Sequence, residues 1–305
     1  MGTPQFALPS LEKIFLSKHK IVGIVTQPDR PKGRGKKYTA PPVKEFALEE
    51  NIQPIFQPES LKNPAFIQLL ENLNADLFVV VAFRILPEVV FSMPPKGTIN
   101  LHPSLLPKYR GAAPINWAII NGERITGATT IFIRKEIDAG NMILQKEVPI
   151  HSDEIAGSLQ DRLADIGADL LLESIKKIEI GDIEPIKQDE SLVTKAPKLT
   201  KEMCRLNFNQ SAEQVKNWIH GLSPYPGAYA LHNNKTIKFY RAKVISSDKQ
   251  SKSPGTIINL TKNDLWIACN PGVISIKELQ MEGHKQLNID EFLRGFRFTV
   301  GEMFK

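Results

Sequence analysis

Two apolar runs constrain the chain most: residues 21–27, IVGIVTQ, and residues 76–83, DLFVVVAF. Neither alternates with polar residues, so each reads as a strand buried on both faces, the habit of parallel sheets covered by helices. Helical patterns flank them. Residues 5–17 bring Phe6, Leu8, Leu11, Ile14 and Phe15 to one side, and residues 155–178 do the same with Leu159, Leu163, Ile166, Leu170 and Ile175. Strands alternating with such helices predict a doubly wound α/β domain over residues 1–181. Thr3-Pro4 offers a cap and a first-turn proline for the first helix; Ser152-Asp153 precedes the long one, which closes near Gly181.

A polar stretch then reads as a linker over residues 182–205, and the pattern changes beyond it. One helix is expected over residues 211–222. The rest of residues 206–305 is a succession of short β-type runs, YALH, KTIKFYRAKVIS, GTIINL, DLWIAC and GVISIKEL, with Asn233-Asn234 as a hairpin turn. Regularly spaced turns of this kind predict a small barrel. One feature departs from the first-domain pattern. A doubly wound domain opens with a strand leading into the first glycine turn, yet the chain begins at Met1-Gly2-Thr3-Pro4, already in the turn. The expectation is that the first strand is missing and that Met1 is an internal methionine of a longer natural chain.

At 305 residues the chain is long enough for two cores, and its formal charge of +6 permits a nucleic-acid partner without requiring one. Cys204 and Cys269 lie far apart with no Cys or His at metal-ligand spacing, so neither a disulfide framework nor a zinc site is expected. No apolar run approaches the roughly 20 residues of a membrane span, and the start lacks a signal-peptide layout. A soluble, intracellular protein is expected.

Chemistry is expected at residues 97–114, GTINLHPSLLPKYRGAAP. Asn100 and His102 are two apart on an extended run, so both face one way where the strand gives out, the place at which open α/β sheets bind ligands. A structural histidine beside a turn asparagine is the plainer alternative. Downstream, residues 128–133 form a strand leading into EIDAG, where Asp138 is placed to reach an imidazole on a neighbouring strand end. An ordinary Asx turn explains Asp138 equally, and Glu136 is a rival carboxylate. No serine or cysteine nucleophile sits in an obvious elbow. An imidazole accepting a proton, a carboxylate orienting it and an amide stabilising an oxyanion fit acyl transfer to an amine without a covalent enzyme intermediate.

NLHPSLLPKYRGAAP together with IDAGNMI resembles the folate-dependent formyltransferases, whose paired Asn-x-His-x-Ser-Leu-Leu-Pro and Asp-x-Gly segments are specific signals. MGTPQFALPSL, VTQPDRPKGRGKKYTAPPVKEFA, RGAAPINWAI and ESLVTKAPKLTKE extend the likeness over nearly the whole chain, toward the branch that formylates initiator methionyl-tRNA. The resemblance implies a Rossmann-like formyltransferase domain followed by an OB-like β-barrel that helps hold tRNA. It implies Asn100, His102 and Asp138 as the catalytic trio, 10-formyltetrahydrofolate as donor with no metal, and Ser104, Leu105, Leu106 and Pro107 along the folate pocket. It also implies a cytoplasmic enzyme, expected as a monomer. Phe83-Arg84 stands where many members carry tyrosine and glycine, and Pro103 where some carry glycine, departures that bear on donor contacts rather than on the trio.

Residues 28–44 carry Arg30, Lys32, Arg34, Lys36, Lys37 and Lys44 against one acid, Asp29. Taken alone this is a solvated charged loop. The resemblance gives it the acceptor end of tRNA, through phosphate contacts at Arg30, Lys32, Arg34, Lys36 and Lys37. Lys235, Lys238, Arg241 and Lys243 form either a basic stripe on the barrel or the outer face of structural strands. The rival functions are formyl transfer to a small amine, a sugar nucleotide or glycinamide ribonucleotide, and RNA binding with catalysis impaired.

Overall fold

The computed structural model describes residues 1–32 and 37–305. The first part of the chain runs through α1 (Leu8–Phe15), β1 (Ile24–Val25), β2 (Arg30–Lys32), β3 (Lys37–Thr39), α2 (Pro42–Glu49), β4 (Ile55–Phe56), α3 (Pro64–Asn72), β5 (Phe78–Val81) and α4 (Glu88–Phe91). Next come β6 (Thr98–His102), β7 (Arg110–Gly111), α5 (Pro114–Ile120), β8 (Ile125–Phe132), β9 (Met142–Pro149) and α6 (Ala156–Ile180). The remainder comprises β10 (Lys195–Ala196), α7 (Ala212–Gly221), β11 (Ala228–His232), β12 (Lys235–Ser246), β13 (Ile257–Leu260), β14 (Leu265–Ala268), β15 (Val273–Met281), β16 (Leu287–Asn288) and α8 (Ile289–Gly295). These elements form two compact units, one of residues 1–111, 126–148 and 160–195, the other of residues 112–125, 149–159 and 196–305.

In the first unit β5, β6, β8 and β9 form one sheet in that order, with β6 parallel to β5 and antiparallel to β8. Among the described residues β1 pairs with one named strand, β4, in parallel. The expected strand over residues 21–27 is present only as Ile24–Val25. The expected helix over residues 5–17 opens as a 3-10 turn, Gln5–Ala7, before α1. Thr3 does not cap it: its hydroxyl accepts instead from the Gln27 backbone N–H, tying the turn to the segment after β1. α6 ends where expected, at Gly181 in the left-handed region (φ +76°). Around α3 and β5, Leu61, Phe66, Leu70, Phe78, Val80 and Val90 make a buried core.

The stretch read as a linker is built into this unit as far as Lys195. Ile186 and Met142 exchange both backbone hydrogen bonds at 2.8 Å, and the Thr194 hydroxyl accepts from Tyr109 N–H. Polar composition concealed a packed segment whose hydrogen bonds are made to other parts of the unit.

In the second unit β11, β12, β15, β14 and β13 form an antiparallel sheet, with β16 on β15. Asn233 and Asn234 turn the β11–β12 hairpin with φ of +49° and +61°, as a two-residue loop matching strand twist requires. α7 starts on a capping box, Ser211 with Gln214, and its Trp218 meets Trp117 of α5 edge to face at 5.8 Å. Cys204 and Cys269 are free and buried, and burial pushes the Cys269 thiol up to about 12. Among the described residues no helix is long and apolar enough to cross a membrane.

His220 is buried on α7 with Nε2 3.0 Å from Ala242 O, and burial, then the nearby Lys216 charge, lowers its pKa to about 4. The unfolded chain therefore takes up a proton near pH 6.5 that the folded unit refuses until about pH 4. Stability of the second unit is expected to fall by about 3 kcal/mol as pH drops through that window. All three tryptophans, Trp117, Trp218 and Trp266, belong to this unit, so tryptophan fluorescence during urea unfolding reads it alone. The difference between wild type and His220→Gln at pH 7 and pH 4.5 checks the prediction.

Candidate active site

β6 is the element that presents the site. Asn100 pairs with Val80 on one side and Ile131 on the other, and His102 faces Thr129. Ile99 and Leu101 are almost fully buried, so alternation sends Asn100 and His102 together to the opposite face. The Asn100 side chain is half-buried, with no hydrogen bond of its amide to a described residue. His102 is buried, and its Nε2 lies 2.9 Å from Tyr109 O. A carbonyl only accepts, so Nε2 carries a proton and Nδ1 is the nitrogen left for chemistry.

Nδ1 faces Asp138 Oδ2 at 3.6 Å. The same oxygen accepts the Gly111 backbone N–H at 2.9 Å, which fixes the carboxylate. Asp138 sits at φ +54°, left-handed backbone that aspartate tolerates better than bulkier residues. Two positions on, a Cβ at Gly140 would overlap Phe132 O, so only glycine closes this turn against β8. The Asp-x-Gly spacing thus has a steric cause. Glu136, the rival carboxylate, is exposed on the outside of the turn.

Ser104 and Leu106 are buried, while Leu105 and Pro107 are half-buried. The Ser104 hydroxyl donates to Lys108 O, and its carbonyl accepts from Thr129 Oγ1, which also receives Leu106 N–H. This is the hydrogen-bonded frame on which the loop after β6 is folded. Arg84, one of the departures, donates to Pro58 O and Glu59 O and lies over the Phe83 ring at 5.4 Å, so it braces the segment after β4.

The basic segment, expected as a loop, begins as an antiparallel ribbon in which Arg30 faces Thr39 and Lys32 faces Lys37. Arg30 is exposed at its base. Arg34 and Lys36 lie outside the described residues. Asp29 is held by Gln57 and Lys44, hydrogen bonds that lower its pKa, so Lys44 is occupied in an ion pair at the ribbon's root. Among the described residues no group of three or more His, Cys, Asp or Glu could hold a metal.

Sequence reasoning missed Gln188. Its Nε2 donates to the backbone carbonyls of Asp138 and Gly140, each at 2.7 Å, and its Oε1 accepts from Arg110 Nε and Nη2. Arg110 is held in turn by Glu190. A lone glutamine in a polar stretch carries no sequence signal for this; only the fold brings it to the turn. Gln188→Ala leaves a buried and a part-buried carbonyl and a guanidinium edge without this partner. It is expected to destabilise the turn by roughly 1–3 kcal/mol and to speed hydrogen exchange of the Gly111 amide about tenfold or more, read by mass spectrometry or NMR.

The chain matches the family model described as formyl transferase over residues 1–175 and that of the formyl transferase C-terminal domain over residues 198–297. It is 43% identical to the methionyl-tRNA formyltransferase of Acetivibrio thermocellus over 99% of this chain and 97% of that protein. With the methionyl-tRNA formyltransferase of Clostridium novyi the identity is 45% over 100% of this chain and 98% of that protein. Among solved structures, the sugar 3N-formyl transferase WlaRD, in the presence of dTDP and 5-N-formyl-THF, matches with TM-score 0.68 and 19% identity over 93% of this chain and 97% of that chain. HypX from Aquifex aeolicus, in complex with tetrahydrofolic acid, matches with TM-score 0.60 and 21% identity over 85% of this chain and 47% of that chain, so this chain spans about half its length. At such identities the two structures speak to the fold. The sequence relatives and both domain models go further: the chain belongs to the formyl transferase family.

Proposed function

We propose that this protein transfers a formyl group from 10-formyltetrahydrofolate to the α-amine of initiator methionyl-tRNA, a cytoplasmic step of translation initiation. The observation that carries this reading is likeness above 40% through both domains to proteins named for that activity. Two solved sugar formyltransferases are 19% and 20% identical, well below that likeness, which weighs against a small-amine substrate. The donor supplies a formyl carbon already activated by its nitrogen. Everything else falls to the residues around β6.

Asn100, its amide unspent, donates a hydrogen bond to the formyl oxygen as negative charge develops there, which lowers the barrier most where the charge is greatest. His102 Nδ1 takes the proton lost by the attacking amine. That proton then lies between Nδ1 and Asp138 Oδ2, and Gly111 N–H keeps the carboxylate from swinging away. From His102 the proton passes to the departing donor nitrogen, so the amine becomes an amide and no covalent enzyme intermediate forms. Leu105 and Pro107 offer apolar surface to the folate, with Ser104 and Leu106 as the buried frame behind them. Arg30, Lys32, Arg34, Lys36 and Lys37 contact the phosphates of the tRNA acceptor end.

The direct test is formyl transfer from 10-formyltetrahydrofolate to methionyl-initiator tRNA, with an aminated sugar nucleotide as competitor. His102→Ala is expected to lower kcat about 10²–10⁴-fold and Asn100→Ala about 10²–10³-fold, with little change in tRNA KM. A tRNA-affinity loss as large as the kcat loss would remove His102 from the chemistry. Arg34→Ala is expected to weaken tRNA binding and make the log–log salt slope shallower by about 0.7–1, measured between 50 and 200 mM salt. An unchanged slope would take Arg34 out of the interface.

A further inference from the structure

A neutral imidazole carries one N–H, and His102 lies between two acceptors that compete for it. Tyr109 O is 2.9 Å from Nε2, and Asp138 Oδ2 is 3.6 Å from Nδ1. At equal distance a carboxylate is the stronger acceptor. With the proton drawn to Nδ1, that nitrogen has no lone pair left to take the proton of an amine. The tautomer that leaves Nδ1 bare therefore depends on how firmly Tyr109 O is held at the ring.

Tyr109 is buried, and its φ of +64° is left-handed backbone, unfavourable for an aromatic residue. Such a conformation persists where surrounding bonds over-determine it, and here they lie on the two peptide planes that meet at the Tyr109 Cα. In the preceding plane Lys108 O accepts from the Ser104 hydroxyl at 2.7 Å, and Tyr109 N–H donates to Thr194 Oγ1 at 2.8 Å. In the following plane Tyr109 O faces His102, and Arg110 N–H donates to Thr194 O at 2.9 Å. Thr194 thus grips both planes, one by its hydroxyl and the other by its carbonyl. The direction of Tyr109 O is set by the two together.

We infer that Thr194 is a positioning residue for His102: by gripping both peptide planes of Tyr109 it holds the acceptor that keeps the imidazole proton on Nε2 and leaves Nδ1 bare. Its effect on turnover rests on the formyl-transfer reading; its effect on the imidazole does not. Thr194 is exposed, so replacing its hydroxyl empties no core. In Thr194→Val, a side chain of the same shape, the backbone carbonyl keeps Arg110 N–H. The Tyr109 N–H turns to water, which satisfies it without fixing its direction.

Nitrogen NMR of the full chain, labelled at histidine and held at pH 8 where free imidazole is neutral, separates the two ring nitrogens of His102. Its signals are assigned by their loss in His102→Ala. Wild type is expected as the Nε2–H tautomer. Thr194→Val is expected to move the tautomer ratio toward Nδ1–H about fivefold or more and to lower kcat for formyl transfer by a similar factor, with KM for either substrate changed less than about twofold. Thr194→Ser, which keeps the oxygen, is expected to bring both back to within about twofold of wild type. A wild type that is mainly Nδ1–H, a ratio unchanged in Thr194→Val, or a shift that Thr194→Ser shares overturns the inference whatever happens to kcat. A shifted ratio with unchanged kcat upholds Thr194 as the residue that positions the ring and counts against His102 as the base, so failure here is distinguishable from failure of the formyl-transfer reading.

Discussion

The site depends on the register of β6. This strand is clamped from both sides, and pairing of Asn100 with Val80 and Ile131 decides which side chains reach its open end. A slip of one residue would take Ile99 and Leu101, side chains worth about 1.5–3 kcal/mol each when buried, out of their packing and would set the amide and the imidazole among apolar neighbours. The same hydrophobic contrast that holds the sheet together therefore aims Asn100 and His102. Alignment of Asn100 with His102 comes without a dedicated interaction.

Asp138 needs more help. It sits in a left-handed turn with an exposed approach, and two of its polar groups are tied to different partners: the side chain to Gly111 N–H and the carbonyl to Gln188. Gln188 acts as a crosspiece between the turn and Arg110, the residue that follows Tyr109, whose carbonyl holds His102 Nε2. Imidazole and carboxylate are thus positioned by adjoining pieces of one hydrogen-bonded frame. A disturbance of one is felt by the other.

Much of this was legible from residue order and some was not, for identifiable reasons. β6, the turn holding Asp138, α6 with its glycine end and the Asn-Asn hairpin announce themselves by local pattern, because their geometry is set by neighbours in sequence. Residues 182–195 look like a tether since their hydrogen bonds are long-range. β12 misleads differently. Plain alternation would put Ile237, Phe239, Arg241 and Lys243 on one face, but the register shifts around Arg241, so Ile237, Phe239 and Ala242 are buried while Arg241 and Lys243 are exposed. A bulge of that kind changes the parity of a strand and has no composition of its own. The basic residues emerge from this strand because of it.

The distance in sequence between Asp138 and Gln188 has a consequence for the order of synthesis. A growing chain has made Asn100, His102 and Asp138 well before it has made the glutamine that steadies the turn. Until Gln188 has left the ribosome and folded back, the Asp138 and Gly140 carbonyls lack the side chain that ties them to Arg110. The turn that carries Asp138 is therefore completed by a residue made 50 positions later.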